Sequence, residues 1–332
     1  MSPAVPVTII TGALGSGKST LLTYILTQNH GYHIAVIENE FADEIGIESL
    51  IVKNALGGKA VNGFYELSNG CMCCTVRDEL VATVEKLMKQ RDRFDYILIE
   101  TSGLADPGPI AANFWTDEGS SIYLDGIITV VDAAHIEQQL IECCETERQL
   151  AYADVILLNK MDLTIKDENI KEKISIVNNT AVIIPTTHSL VDLNKILNIH
   201  TLSLIKPISA DCENHVHDDH TRSIVITIDK PVNLTKFSSW IGSLLWDSPQ
   251  YKILRGKGII TAIDNKKYIF QSVYEQFDII PLNDEAVNPL NDEAVNPLNN
   301  EAYESRIILI GNNLDSKLLQ QELNTINERS QV

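Results

Sequence analysis

The sequence predicts an α/β protein in two parts: a three-layer sandwich with helices on both faces of a sheet, then a smaller α+β domain. Three observations carry this expectation. Short aliphatic runs alternate with helical segments over roughly the first 200 residues, the pattern of a layered α/β domain. A glycine-rich stretch, GALGSGKS, follows the first of those runs directly. Beyond a polar, histidine-bearing segment, DCENHVHDDHTR, the rhythm changes to strands at hairpin spacing.

In chain order, Val5 to Thr11, Ile34 to Ile37, Tyr96 to Glu100, Ile127 to Asp132, Val155 to Asn159 and Ala181 to Pro185 read as buried strands. Helices are expected after Lys18, after Cys74, from Ile136 to Ala153 and from Asp167 to Val177. This domain is placed at residues 1–205 and a polar linker at 206–221. The second domain is placed at 222–327: SIVITID as a strand, LTKFSSWIGSLLW as an amphipathic helix, YKILRGKGIITAID with KKYIFQSVYE as a hairpin, RIILIG as a strand and LDSKLLQQELNTI as a closing helix. Within it, PLNDEAVN at Pro281 recurs from Pro289 and, altered to PLNNEAYE, from Pro297. A period of eight with Pro, Asn and Asp turn formers reads as an exposed loop expansion over 281–304, with a partner-binding repeat as the alternative.

The chain has 332 residues, 44% of them hydrophobic, enough for a substantial core. Its net charge of -19 opposes nucleic-acid binding at long range, and no basic patch offsets it. Apolar runs such as VPVTIIT fall far short of the roughly 20 residues a membrane helix needs. The start, MSPAVP, lacks the basic segment and apolar core of a secretory signal, so a cytoplasmic protein with reduced thiols is expected, monomeric or homodimeric.

Gly12 to Ser19 satisfies G-x-x-x-x-G-K-[ST] after a strand and before a helix, which predicts the P-loop NTPase form of the sandwich. In such a loop Gly12, Gly15, Ser16 and Gly17 curl backbone N–H groups around phosphate, and the helix presents its positive end. Lys18 reaches the terminal phosphates, Ser19 ligates magnesium and Thr20 continues the helix. YILIETSG ends a strand in Glu100, an acid that organises magnesium or its water, and Gly103 follows to sense a terminal phosphate. ADVILLNKMD puts Asn159, Lys160 and Asp162 at another strand end. The Asp162 carboxylate can accept from guanine N1 and N2, a donor pair adenine lacks, so GTP hydrolysis by water is the expected reaction. In the loop IENEFADEIGIES, Glu40, Asp43 and Glu44 are candidates to touch magnesium, position water or contact a metal.

NGCMCC crowds Cys71, Cys73 and Cys74 just before a helix, where three soft thiolates suit zinc or copper(I) and the helix N-terminus favours thiolate charge. A fourth ligand is open between water, Glu40 and a residue of a client. Buried structural thiols and a redox pair are the competing readings. Cys212 with His215, His217 and His220 reads either as a solvated linker or as a secondary metal-loading site. Cys143 and Cys144 are explained by a helix surface or core.

Together GALGSGKST, IENEFADEIGIES, NGCMCC, ETSGLADP and NKMD resemble the CobW family of P-loop GTPases, and in particular its eukaryotic zinc-regulated GTPase metalloprotein activator branch. The resemblance continues through WIGSLLWD, ILRGKGIITAID, QSVYEQFD and RIILIGNNLD into a CobW C-terminal domain. It implies GTP, GDP and magnesium at Gly12 to Thr20, Glu100, Gly103, Asn159 and Asp162, and zinc at Cys71, Cys73 and Cys74. It further implies GTP turnover coupled to zinc delivery into a client metalloprotein, with type 1 methionine aminopeptidase the client of the eukaryotic branch. A noncatalytic GTP-gated metal sensor or insertion scaffold is the alternative. Two departures stand out. NEFADEIG has Ala42 where the family has glycine, which leaves the water-positioning acid open between Glu40, Asp43 and Glu44, and the branch's N-terminal client-recognition segment has no counterpart before Val5.

Overall fold

The structure, a computed structural model, describes residues 4–39, 51–54, 61–62, 75–115, 120–164, 167–200, 221–282 and 305–328. The chain divides into two compact units: Met1–Gln149 with Ala153–Ile170 and Val182–Ile199, and Leu150–Tyr152 with Lys171–Ala181 and His200–Val332.

In chain order the first part runs β1 (Val5–Thr11), α1 (Lys18–Thr27), β2 (His33–Asn39), β3 (Ile51–Asn54), β4 (Val61–Asn62), α2 (Thr75–Met88), β5 (Tyr96–Thr101) and α3 (Pro107–Ala112). It continues with β6 (Ile122–Asp132), α4 (Ile136–Glu142), α5 (Cys144–Tyr152), β7 (Val155–Asn159), α6 (Asp167–Val177) and β8 (Val182–Pro185). The sheet order is β4-β3-β2-β5-β1-β6-β7-β8. From β2 to β8 neighbouring strands are parallel, while β3 and β4 extend one edge antiparallel. Strands of a parallel sheet are covered on both faces, which is why β1 and β7 are buried along their whole length and read as unbroken apolar runs. The chain winds from β1 first toward β2 and then back toward β6. The C-terminal ends of β1 and its neighbours therefore border a topological switch point, where ligands of open α/β sheets bind.

One irregularity locks this sheet. Between β1 and β6 the register slips so that Asp125 has no partner across the ladder. Its buried carboxylate instead accepts from the Tyr96 hydroxyl at 2.5 Å, Thr8 Oγ1 at 3.2 Å and the Ile199 N–H at 3.0 Å. Burial and the adjacent Asp125 push the Tyr96 phenol well above its ordinary pKa, so it stays a donor.

The second unit contains β9 (Arg222–Ile228), α7 (Leu234–Gly242), β10 (Lys252–Thr261), β11 (Lys267–Val273), β12 (Gln276–Pro281), β13 (Ser305–Asn312) and α8 (Ser316–Glu328). Its antiparallel sheet has the order β12-β11-β10-β13-β9. Asn233 caps α7 by accepting from the Lys236 N–H, and a π turn, Ser243–Asp247, follows the helix. Alternate residues of the strands, Ile224, Ile226 and Ile228 on β9 and Ile307 and Leu309 on β13, join Phe237, Trp240, Leu319 and Leu323 in one core. Phe237 and Phe270 meet edge to face at its centre, with ring centroids 5.3 Å apart.

Three expectations are corrected. The helix expected from Ile136 to Ala153 is two helices, because Cys143 is extended; α5 restarts with Glu145 and Glu147 in its first turn, where the helix dipole favours acids. The strand expected from Ile127 begins at Ile122. Pro281, counted in the octad loop, ends the unforeseen strand β12, whose tight turn from β11 is made by Tyr274 in the left-handed region. Pro is tolerated there because β12 is an edge strand. Residues 206–220 of the linker and 283–304 of the octad segment lie outside the described residues.

Because Phe237 is fully buried against Phe270, Phe237→Ala is expected to destabilise the second unit by about 3–5 kcal/mol. Denaturant unfolding of the full chain, followed by near-UV circular dichroism, measures this directly; a loss below 1 kcal/mol, roughly that of a surface substitution, would contradict the described core.

Candidate functional site

The loop between β1 and α1 carries three residues with positive φ: Gly12 at 136°, Gly15 at 74° and Gly17 at 116°. Two of them are also confined by their surroundings: a Cβ at Gly12 would lie 2.1 Å from Val130 O, and one at Gly17 would lie 2.4 Å from Asn159 Nδ2 and 2.9 Å from Ser189 Oγ. Gly17 at the N-cap has no side chain to cap α1, and among the described residues the first N–H groups are directed out of the helix end, as an anion cradle requires. Lys18 is folded over the loop: its Nζ donates to Gly12 O at 2.8 Å and Ala13 O at 3.1 Å, and only 7% of the residue is exposed. Ser16 Oγ is buried with no hydrogen-bond partner among the described residues. An orphaned donor in such a loop is costly, and an oxygen of a bound phosphate would relieve it.

The ends of β1 and β5 converge beside this cradle. Ser19 Oγ donates to Glu100 Oε1 at 2.9 Å, so the two predicted magnesium ligands, 81 residues apart in sequence, are neighbours. One hydroxyl and one carboxylate oxygen are the hard donors magnesium takes. Thr101 Oγ1 donates to Thr11 Oγ1 at 2.9 Å and ties the same two strand ends. Gly103 lies against the crest of the phosphate loop, where a Cβ would come 2.6 Å from the Leu14 N atom. Thr20 is exposed on the first turn of α1.

On the other flank, Asn159 ends β7 and is 2% exposed. Its Nδ2 donates to Ser16 O at 2.9 Å and Ser189 Oγ at 3.0 Å, while its Oδ1 accepts from the Ser189 N–H at 2.8 Å and Thr186 Oγ1 at 3.2 Å. Ser189 Oγ in turn donates to Gly17 O. Lys160, in the left-handed region, directs its Nζ to Asp132 Oδ2 at 2.7 Å, and His135 Nδ1 lies 3.0 Å from the same oxygen. Burial pushes the Asp132 carboxyl up, but Lys160, His135 and the Ala134 N–H outweigh it and hold the group below the usual carboxylate range. Asp162 follows in a short 3₁₀ turn with its side chain exposed to solvent.

Five residues of this neighbourhood escape the sequence reading: Asp132, Arg148, Gln149, Thr186 and Ser189. Asp132 and Thr186 stand at or just past strand ends on the same edge of the sheet as Asn159, and that placement is the only signal the sequence offers for them. Glu40, Asp43, Glu44, the thiols Cys71, Cys73 and Cys74, and the group Cys212, His215, His217 and His220 lie outside the described residues. Among the described residues there is no group of three or more His, Cys, Asp or Glu arranged to hold a metal, and no helix long and apolar enough to cross a membrane. The Cys143 and Cys144 thiols both donate to the Glu145 carboxylate, a local contact that accounts for them without a ligand.

A glycine cradle at the end of β1, a buried lysine over it and a Ser–Glu pair joining the first turn of α1 to the end of β5 define a P-loop nucleotide-binding protein. Residues 6–185 match the family described as CobW/HypB/UreG, nucleotide-binding domain, and residues 221–327 match the cobalamin synthesis protein cobW C-terminal domain; the chain belongs to the CobW family. It is 35% identical to zinc-regulated GTPase metalloprotein activator 1 of Schizosaccharomyces pombe, over 93% of this chain and 83% of that protein. It is 36% identical to the zinc chaperone YjiA of Escherichia coli, over 82% of this chain and 87% of that one. The crystal structure of Zn(II)-bound YjiA GTPase from E. coli superposes with a TM-score of 0.70 at 30% identity, covering 98% of this chain and 99% of that one.

Replacing Asn159 with Ala strips partners from Ser16 O and the Ser189 N–H inside the protein, so a loss of about 1–3 kcal/mol of stability is expected. Thermal unfolding of the ligand-free chain checks this. An unchanged midpoint would remove Asn159 as the brace of the loop.

Proposed function

We propose that the chain is a GTP-hydrolysing zinc metallochaperone that passes zinc to a client metalloprotein. The single observation that carries the hydrolytic half is the Ser19–Glu100 contact of 2.9 Å beside the Gly12 to Ser19 cradle. The zinc half rests on NGCMCC and on relatives named as zinc chaperones and zinc-regulated GTPases over more than four-fifths of this chain. Residues 1–205 form the nucleotide domain in this reading, 206–221 a linker, and 222–327 a domain that contributes client surface.

The backbone N–H groups of Gly15, Ser16 and Gly17 bind phosphate oxygens, and Lys18 turns its ammonium from the Gly12 and Ala13 carbonyls to the terminal phosphates. Magnesium, when bound, neutralises phosphate charge. Ser19 and Glu100 are the residues that hold it. Gly103 contacts the terminal phosphate through its backbone, and Asp162 accepts from guanine N1 and N2 while Asn159 and Lys160 set the position of its turn. Glu40, Asp43 or Glu44 orients the attacking water. Cys71, Cys73 and Cys74 bind zinc as thiolates, and a fourth position filled by water, Glu40 or a client residue permits ligand exchange into the client. The client we propose is type 1 methionine aminopeptidase, met in the cytoplasm.

Two variants separate the two chemistries. Lys18→Ala is expected to cut GTP hydrolysis at least about tenfold while leaving zinc affinity intact, since it removes a phosphate contact and no thiol. Cys73→Ser is expected to do the reverse, weakening zinc without weakening GTP. Phosphate release and chelator competition measure the pair, and an unchanged rate in the lysine variant would eliminate the phosphate role.

The nucleotide should also gate the metal. Zinc affinity of the reduced protein, compared with a nonhydrolysable GTP analogue and with GDP, is expected to differ by about tenfold, a coupling of about 1.4 kcal/mol. Equal affinities would rule out gating of zinc affinity in the isolated protein and leave client-controlled transfer or a metal-stabilised GTPase, which phosphate release with and without the apo client separates.

A further inference from the structure

We infer that Gln149 is a positioning residue for the loop after β5, fixing the peptide that follows Gly103 so that the loop can discriminate GTP from GDP; the inference deepens the GTPase reading and rests on it. Gln149 sits on α5 and is 1% exposed. Its Nε2 donates to Gly103 O at 3.1 Å and to Ala105 O at 3.2 Å. Both hydrogens of one carboxamide are thus engaged by two carbonyls of a single short loop, 46 and 44 residues distant in sequence. The backbone of Gln149 is itself held, because Thr129 Oγ1 on β6 donates to Gln149 O at 2.7 Å. The carboxamide therefore projects from a fixed base.

Among the described residues the loop is otherwise tied at its ends and by one bond of its own, from the Ala105 N–H to Ser102 O at 3.2 Å. At one end Thr101 is bonded to Thr11. At the other, Asp106 Oδ1 accepts from the Gly108 N–H to start α3, and Asp106 Oδ2 lies 3.5 Å from Nη1 of Arg148, the residue before Gln149. Between these ends stands Gly103, pressed to the Leu14 N atom on the phosphate loop. A peptide unit is planar, so holding the Gly103 carbonyl also sets the direction of the Leu104 N–H on its opposite edge. Glycine opposes a peptide flip with no side chain, and the turn bond from Ala105 to Ser102 does not engage the Gly103 carbonyl, so the Gln149 donors add a restraint at that atom. Without it, two part-buried carbonyls lose their donors and the loop gains alternative peptide orientations beside the position a terminal phosphate would take.

The residue type fits that task. Glutamate would place an acceptor against two acceptors, and lysine would bury a charge. Gln149→Met nearly keeps length and volume while removing the carboxamide that supplies the donors. In the full chain with magnesium, Gln149→Met is expected to lower kcat for GTP by about tenfold or more, with GDP affinity within about twofold of wild type, because only an interaction that responds to the terminal phosphate is lost. The preference for a nonhydrolysable GTP analogue over GDP should shrink in parallel. A merely structural residue would lower both affinities and the unfolding midpoint together. Unchanged discrimination, or GDP and analogue affinities falling equally, overturns the inference. Should the methionine variant not fold, Gln149→Asn, which keeps the carboxamide but draws its donors back by one methylene, decides the question: a loss of discrimination of about threefold supports the restraint and none overturns it. If the wild-type protein binds both nucleotides yet releases no phosphate, the GTPase reading fails, and the analogue-to-GDP ratio still tests Gln149.

Discussion

The buried carboxamide of Asn159 is the interaction on which the nucleotide site depends. It stands at the end of β7 and fastens the phosphate loop after β1 to the loop after β8 through Ser16, Thr186 and Ser189. A phosphate loop is mostly glycine and backbone, so it cannot hold its own curvature by side-chain packing. The restraint has to come from a neighbour, and a carboxamide with two donors and an acceptor oxygen, almost fully excluded from water, can satisfy donors and acceptors on both loops at once. Gly17 shows how close the fit is, since even a methyl group would strike the carboxamide.

The same logic recurs around the cradle. Ser19 meets Glu100, Thr101 meets Thr11, and Gln149 meets the carbonyls of Gly103 and Ala105. Each bond joins the end of one parallel strand to another, or a helix to a loop, at the edge where the sheet reverses its winding. Parallel strands buried on both faces supply rigidity below this edge, and the polar pairs supply it above. A strong net negative charge sets the condition for both, because a polyanionic nucleotide gains no long-range attraction from a chain at -19. Within about one Debye length the local groups dominate. Lys18 donates to the Gly12 and Ala13 carbonyls of the loop it covers, whereas Lys160 is tied to Asp132 and acts as a strut.

The second unit is built on different principles. Its antiparallel sheet buries alternate residues against α7 and α8, with Phe237 and Phe270 at the centre. The strand β12 fell outside the sequence reading because its turn is made by Tyr274 with a positive φ, a residue that gives no turn signal of the Gly or Asn kind. The break at Cys143 was missed for a related reason: neither Gly nor Pro marks it, and the acids that restart α5 read equally well as the surface of one long helix.

What the sequence determined by itself is the part of this protein written in contiguous residues. The strand, loop and helix of GALGSGKS, the acid one residue before the end of YILIET, the asparagine ending VILLN and the switch from α/β rhythm to hairpins are each local patterns with a direct backbone cause, and they place Lys18 on α1, Glu100 on β5, Gly103 in the loop after it and Asn159 on β7. Tertiary structure alone decided which of them touch. The bonds from Asn159 to Ser16, Ser19 to Glu100 and Gln149 to Gly103 span 143, 81 and 46 residues. A side-chain hydrogen bond has no periodicity and leaves no trace in the intervening chain, so only the winding of β1, β5, β6 and β7 into one sheet brings those partners within reach.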